Sequence, residues 1–122
     1  IAPAPDFTDW GFTEAQKATI ARDGVLYEDN PYGPELTPTW RGLFDDGVAN
    51  EVLRDSIAIT GPVRLLHGQK DRDVPWIISL KLADALQSDD VRVTLIKDGD
   101  HRLSREQDVA LLLASVGELV QP

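Results

Sequence analysis

Two short stretches of the 122-residue chain hold the side chains equipped for acid–base chemistry. One is His67-Gly68-Gln69-Lys70-Asp71-Arg72-Asp73-Val74-Pro75, which places a carboxylate three residues past a glycine; the other is Asp98-Gly99-Asp100-His101-Arg102-Leu103, which places an imidazole shortly after a glycine. A carboxylate that accepts the imidazole Nδ1 proton fixes the tautomer and leaves Nε2 free to take a proton from a hydroxyl, the orienting half of a nucleophilic site. Taken singly, each residue has a plainer reading. Asp71 beside glycine and proline is a turn aspartate closing its own loop, and His101 is a surface-loop histidine. Asp73 reads as the cap of a helix opening at Pro75, and His67, at the apolar end of its segment, as a packed and hydrogen-bonded histidine. Five serines are present, Ser56, Ser79, Ser88, Ser104 and Ser115, none of them in a Gly-x-Ser-x-Gly setting.

The elements around these stretches decide between the readings. Val63 to His67, opened by Gly61-Pro62 and closed by Gly68, is a short apolar run that predicts a strand. Pro75 opens a helical stretch to about residue 87 with Ile77, Leu80, Leu82, Ala83 and Leu86 on its apolar face. Val91 to Ile96 is rich in β-branched residues and predicts a second strand. A last helix follows, with Ser104 and Gln107 as a capping box and Val109, Leu112, Leu113, Val116 and Leu119 as its buried stripe. Strand, helix, strand, helix is a βαβα unit with two parallel strands and a right-handed crossover, so the class is α/β. Parallel neighbours carry their following loops side by side at the carboxyl edge, where such folds gather function. Asp71 and His101 then fall at matching strand ends, and the paired reading prevails.

The first 60 residues differ in texture. They hold seven of the eight aromatic residues and an irregular connection, Asp29-Asn30-Pro31-Tyr32-Gly33-Pro34. Thr13 with Gln16 predicts a helix over 14–22 that stops at Gly24. Thr37 with Pro38 reads as a cap and first turn of a second helix carrying Trp40, Leu43 and Phe44 on one face, and Asn50 to Ser56 reads as a third. Trp40, Leu43 and Phe44 are the candidate lining of an apolar substrate pocket.

The run Gly68-x-x-Asp71-x-x-Val74-Pro75 after one strand, followed about 30 residues later by Gly99-Asp100-His101 after the next, resembles the acid and base loops of the α/β-hydrolase superfamily in their chain order. Segments Val63 to Trp76 and Val91 to Asp108 are most similar to small acyl esterases and thioesterases of the palmitoyl-protein thioesterase and acyl-glucuronide esterase kind. The resemblance implies an α/β fold built as the C-terminal half of a hydrolase, with a mostly helical cap or lid over 6–60 and a βαβα core over 61–122. Asp71 becomes the catalytic acid and His101 the base of a catalytic triad. The nucleophile elbow and oxyanion loop of that family precede these positions and have no counterpart here. The expected activity is therefore hydrolysis of a carboxylic ester or thioester by a serine hydrolase whose nucleophile lies elsewhere. The alternative is a truncated, non-catalytic half that serves as an oligomerisation or interaction module. Either reading calls for a partner: an N-terminal half carrying the serine, or a second copy of the chain.

Composition narrows the rest. With 12 Lys and Arg against 21 Asp and Glu, the net charge of −9 disfavours nucleic acid and anionic membrane as partners. No apolar run approaches the roughly 18 residues of a membrane helix. Two histidines 34 positions apart and no cysteine give no metal framework, and no cofactor motif is present. Absence of cysteine fits a reducing cytosol, so a cytoplasmic location is expected. There is no methionine and the chain opens Ile1-Ala2-Pro3-Ala4-Pro5, which suggests a piece of a longer or processed chain.

Overall fold

The computed structural model describes residues 1–121 as two compact units: Asp6–Glu51, and Ile1–Pro5 together with the chain from Val52 onward.

The Asp6–Glu51 unit runs α1 (Phe7–Trp10), α2 (Glu14–Asp23), β1 (Val25–Glu28), β2 (Thr37–Trp40) and α3 (Arg41–Ala49). Helix α2 starts where its capping box predicts: the Thr13 hydroxyl accepts from Gln16 N–H, and the Gln16 side chain accepts from Thr13 N–H. It stops at Gly24, whose φ of 77° is the left-handed conformation glycine adopts without penalty. Its last carbonyls are also capped by Arg41, which donates to Ala21 O at 2.6 Å. Ile20 and Thr8 form the buried centre, each 1% exposed.

Two expectations fail in this unit for physical reasons. Thr37 and Pro38 do not start a helix; they form the antiparallel strand β2 against β1, in the register Val25↔Trp40 to Glu28↔Thr37. A residue before proline is biased towards extended backbone, and alternation across the ribbon buries Thr39 while its neighbours face outward, so tertiary pairing overrides the local cap. The helix begins only at Arg41. Nor is Asn50–Ser56 a helix. Asn50 terminates α3 instead, its Nδ2 donating to Asp46 O at 2.8 Å.

The second unit is the βαβα segment: β3 (Val63–Gly68), α4 (Ile77–Ala85), β4 (Val91–Ile96) and α5 (Glu106–Val120). Strands β3 and β4 are parallel in the register Val63↔Val91 to Gly68↔Ile96. On the other edge of β3, Ala2 N–H donates to Leu66 O at 2.9 Å, so the start of the chain lies along that strand. Leu65, Leu66, Val74, Ile78, Leu86 and Leu103 make the core. On α4 the inward face is Ile78 and Ser79 with Leu82 and Ala83 half-buried, while Ile77 and Leu80, expected inside, are 43% and 37% exposed.

Helix α5 departs further from expectation. Its cap is Arg105 rather than Ser104: the Asp108 carboxylate accepts from Arg105 N–H at 3.3 Å and from Arg105 Nε at 2.7 Å. Of the stripe expected to be buried, only Leu112 is half-buried, and Val109, Leu113, Val116 and Leu119 are 42%, 66%, 47% and 40% exposed; Val120, 73% exposed, extends the face formed by Val109, Leu113 and Val116. Helical spacing of three and four places Val109, Leu113, Val116 and Val120 on that one face.

The loops after β3 and β4 touch backbone to backbone. Lys70 N–H donates to Gly99 O at 2.9 Å, and a Cβ on Gly68 would run into the Gly99 carbonyl and Asp100 O. Two predictions follow from this packing. Ile78→Ala should cost about 2–5 kcal/mol in urea unfolding, whereas Leu113→Ala, at an uncovered site, should change stability by about 0.5 kcal/mol or less. Gly68→Ala must push the two loops apart, so the Lys70 amide should lose its protection in hydrogen exchange while amides of α2 keep theirs.

Candidate active site

Asp71 and His101, expected at matching strand ends, meet: His101 Nδ1 lies 2.9 Å from Asp71 Oδ2. The two readings of Asp71 hold together, one for each oxygen. Its Oδ1 closes the loop, accepting from Asp73 N–H at 2.8 Å and Val74 N–H at 2.9 Å. Its Oδ2 faces His101. The Asp71 side chain is fully buried and that of His101 is 42% exposed.

Burial opposes the charge on Asp71, but the N–H donors from Val74, His101 and Asp73 outweigh it and hold the carboxyl below its usual range. An ionised carboxylate only accepts hydrogen bonds, so His101 Nδ1 carries the proton. The other ring nitrogen, Nε2, lies 3.9 Å from Asp73 Oδ2, beyond hydrogen-bond distance. The geometry is that of an oriented imidazole with its basic nitrogen turned away from the carboxylate.

The His101 loop is pinned at both ends. Arg105 forks onto Asp98 at 2.8 and 3.1 Å and onto Asp108, and these contacts hold both carboxyls below their usual range. Within the loop, Asp100 Oδ1 accepts from Arg102 N–H and Leu103 N–H, and Leu103 sits at φ 46° with its side chain in the core. Such left-handed backbone costs a branched residue on the order of 1–2 kcal/mol; here it lets the loop bury Leu103 while His101 stays partly outside.

Other sequence assignments fare differently. Asp73 caps no helix, since α4 starts at Ile77 with no side-chain cap. His67 is indeed packed, with no exposure, Nδ1 2.6 Å from Ser79 Oγ and Nε2 2.9 Å from Val74 O. Sequence reasoning missed that His67 Nε2 also lies 3.3 Å from Asp71 Oδ2, and that Ser79 is its buried partner. The available signal was a lone serine at helical spacing from Leu82, Ala83 and Leu86, on an otherwise apolar face. Of the candidate lining, Trp40 and Leu43 are 56% and 55% exposed, with Trp40 set edge-on to Tyr27. Phe44 meets Phe12 edge-on and borders a cavity of about 220 Å³ that the other two do not line.

Asp71, Asp73 and His101 offer ligand atoms within 4.8 Å of one another, a grouping that sequence spacing did not reveal. Asp71 has little left for a metal, because each of its oxygens already faces two N–H donors.

No family model matches the sequence. The mitochondrial palmitoyl-protein thioesterase ABHD10 of Mus musculus is 48% identical over 69 residues, which is 57% of this chain and 23% of that protein. Its Homo sapiens counterpart is 42% identical over 69 residues, 57% of this chain and 22% of its own length. Among solved structures, a protein from Agrobacterium vitis S4 that carries the name of a hydrolase superimposes with a TM-score of 0.86 at 40% identity, over 98% of this chain and 48% of that one. Mouse alpha/beta hydrolase domain-containing protein 10 superimposes with a TM-score of 0.85 at 32% identity, over 98% of this chain and 49% of that one. The chain thus spans about half the length of the solved structures, and the aligned stretch under a quarter of the curated relatives.

The relatives' mitochondrial designation overturns the expectation of a cytoplasmic location. That expectation rested on missing cysteines, which report only that no disulfide is needed and do not distinguish one compartment from another. By sequence and by fold, the chain is related to the α/β hydrolases, of whose fold it carries a part.

Proposed function

We propose that this chain supplies the acid and base of a serine hydrolase acting on carboxylic esters or thioesters, and that the serine nucleophile comes from a segment outside it. The observation that carries this reading is the 2.9 Å contact between His101 Nδ1 and the buried Asp71 carboxylate, with Nε2 left available. In the reaction, His101 Nε2 takes the serine hydroxyl proton as its oxygen attacks the acyl carbon. The same proton then passes to the departing alkoxide or thiolate, and water repeats the sequence to release the acid. Asp71 stays ionised and stabilises the imidazolium.

The partner is the remainder of a hydrolase fold, and two features support it. Helix α5 leaves an apolar face uncovered, and β4 pairs only with β3 among the described residues. A second copy of the chain, in a non-catalytic assembly, is the competing occupant. To Trp40, Leu43 and Phe44 we assign the acyl group, an assignment that rests on their apolar surface and not on a shared cavity.

The test is complementation. The chain is assayed on p-nitrophenyl octanoate and octanoyl-coenzyme A alone, then mixed with the part of the Agrobacterium vitis protein that it does not match. The chain alone should show no turnover and the mixture should hydrolyse both. His101→Ala and Asp71→Asn should each lower kcat on the order of 10³–10⁴-fold. Turnover by the chain alone that survives His101→Ala would falsify the assignment, and a stable homodimer that never complements would favour the interaction module.

The pH dependence is fixed in sign. Because the folded-state pKa of Asp71 is depressed, its charge and the stabilisation it brings are present above the unfolded value of about 3.9 and are lost only as pH falls through the lower folded value. Between about pH 4 and 7 the acid limb of kcat/KM should therefore carry no contribution from the ionisation of Asp71. A limb with slope two would contradict it.

A further inference from the structure

His67 is saturated in a way that packing alone does not require. Its ring has no exposure and lies between Ser79 on α4 and the loop that carries Asp71. The Val74 carbonyl 2.9 Å from Nε2 can only accept, so Nε2 bears the hydrogen and Nδ1 accepts from the Ser79 hydroxyl at 2.6 Å. Those two bonds already pair both ring nitrogens of the buried imidazole. A third, longer approach, 3.3 Å from Nε2 to Asp71 Oδ2, sets the same N–H dipole beside the oxygen that receives His101 Nδ1–H, while the Nε2 hydrogen bond itself goes to Val74 O.

Asp71 Oδ1 is held by Asp73 and Val74 N–H. Without the His67 ring beside it, Oδ2 would have His101 alone, a ring on a partly exposed loop side chain. With it, the carboxylate plane is fixed from the protein interior.

We propose that His67, its tautomer set by the Val74 carbonyl and complemented by the Ser79 hydroxyl, is the positioning residue that orients the Asp71 carboxylate and so holds His101 in its Nδ1–H tautomer. The relay runs Ser79 Oγ, His67, Asp71 Oδ2, His101, from α4 through the end of β3 to the loop after β4. His67 and Ser79 touch no reacting atom. Their effect passes through Asp71, much as outer hydrogen-bond partners fix the tautomer and ring orientation of metal-bound histidines. Facing His101 are Asp71 and, at 3.9 Å from Nε2, Asp73. Asp73 is near the wrong nitrogen to set the tautomer.

The proposal deepens the hydrolase reading and rests on it, but its test needs no turnover. Imidazole ¹⁵N and ¹H resonances of His101 are followed in the 122-residue chain and three variants. In the unaltered chain, neutral His101 should be the Nδ1–H tautomer with a slowly exchanging Nδ1–H. The apolar pair His67→Phe with Ser79→Ala, which keeps a planar ring but removes both polar partners, should shift His101 towards the Nε2–H form favoured by free imidazole and speed Nδ1–H exchange roughly tenfold or more. His67→Gln, which returns a donor nitrogen at the Nε2 position, should restore most of the effect. Ser79→Ala alone should move both readouts in the same direction by less, and serves if the double variant does not fold. A folded double variant, or a folded Ser79→Ala chain, with His101 unchanged in both readouts reduces His67 to core packing and overturns the proposal. A relay that behaves as expected in a protein that never complements removes the reaction and keeps the positioning; an unchanged His101 in a protein that does complement removes the positioning and keeps the reaction.

Discussion

The site depends on one buried carboxylate. Asp71 lies out of water with N–H groups on both oxygens: two from its own loop backbone on Oδ1, and that of the His101 ring on Oδ2, with the His67 ring 3.3 Å from the same oxygen. An unpaired ion at that depth would cost several kcal/mol, so the surrounding chain is committed to delivering donors. The loop must turn back at Asp73 and Val74, the strand must carry a histidine just before its last residue, and the neighbouring loop must bring His101 within reach. The same contacts that make the carboxylate affordable to bury also keep it ionised, which is the state an imidazole partner needs.

Parallel pairing supplies the distances. In register, Gly68 of β3 stands opposite Ile96 of β4, so the loops leave the sheet from adjacent points. They can close only because Gly68 has no Cβ where the Gly99 carbonyl passes. The Lys70–Gly99 hydrogen bond then fastens them. A glycine at this point serves close approach of backbone to backbone, and its φ is ordinary.

How much of this was legible in the sequence follows the range of the forces involved. The βαβα order, both parallel strands and the α2 capping box could be read because apolar runs, β-branched residues and local caps act within a few residues. The pairing of Asp71 with His101 could be read because strand ends of a parallel unit are neighbours by topology. The β2 strand was hidden, since Thr37-Pro38 satisfies a helix-start pattern locally and only β1, about ten residues earlier, decides otherwise. The start of α5 was hidden for a related reason. Ser104 and Gln107 form a valid capping pattern, yet Arg105 bridging Asp98 and Asp108 shifts the boundary by one residue. The Ser79–His67–Asp71 connection joins three elements through side chains and has no local signature.

The exposed stripe of α5 carries the same reasoning to the level of the whole fold. Its only fully buried side chain is Asp108, and polar contacts attach the helix to the sheet: Arg105 to Asp98 at its start, and Glu118 near its end to Arg64 and Arg92, each at 3.0 Å. Exposed ion pairs are worth about 0–1 kcal/mol each, whereas covering one Val or Leu is worth about 1.5–3 kcal/mol. The polar pins therefore set where α5 lies, while most of the stabilisation its residue types can provide is still unrealised in Val109, Leu113, Val116 and Val120. A helix placed by charges thus keeps an apolar outer face that nothing among the described residues covers. Covering it would add to the rigidity of the same segment from which Arg105 holds the His101 loop, so burial at α5 and orientation at Asp71 draw on one structural element.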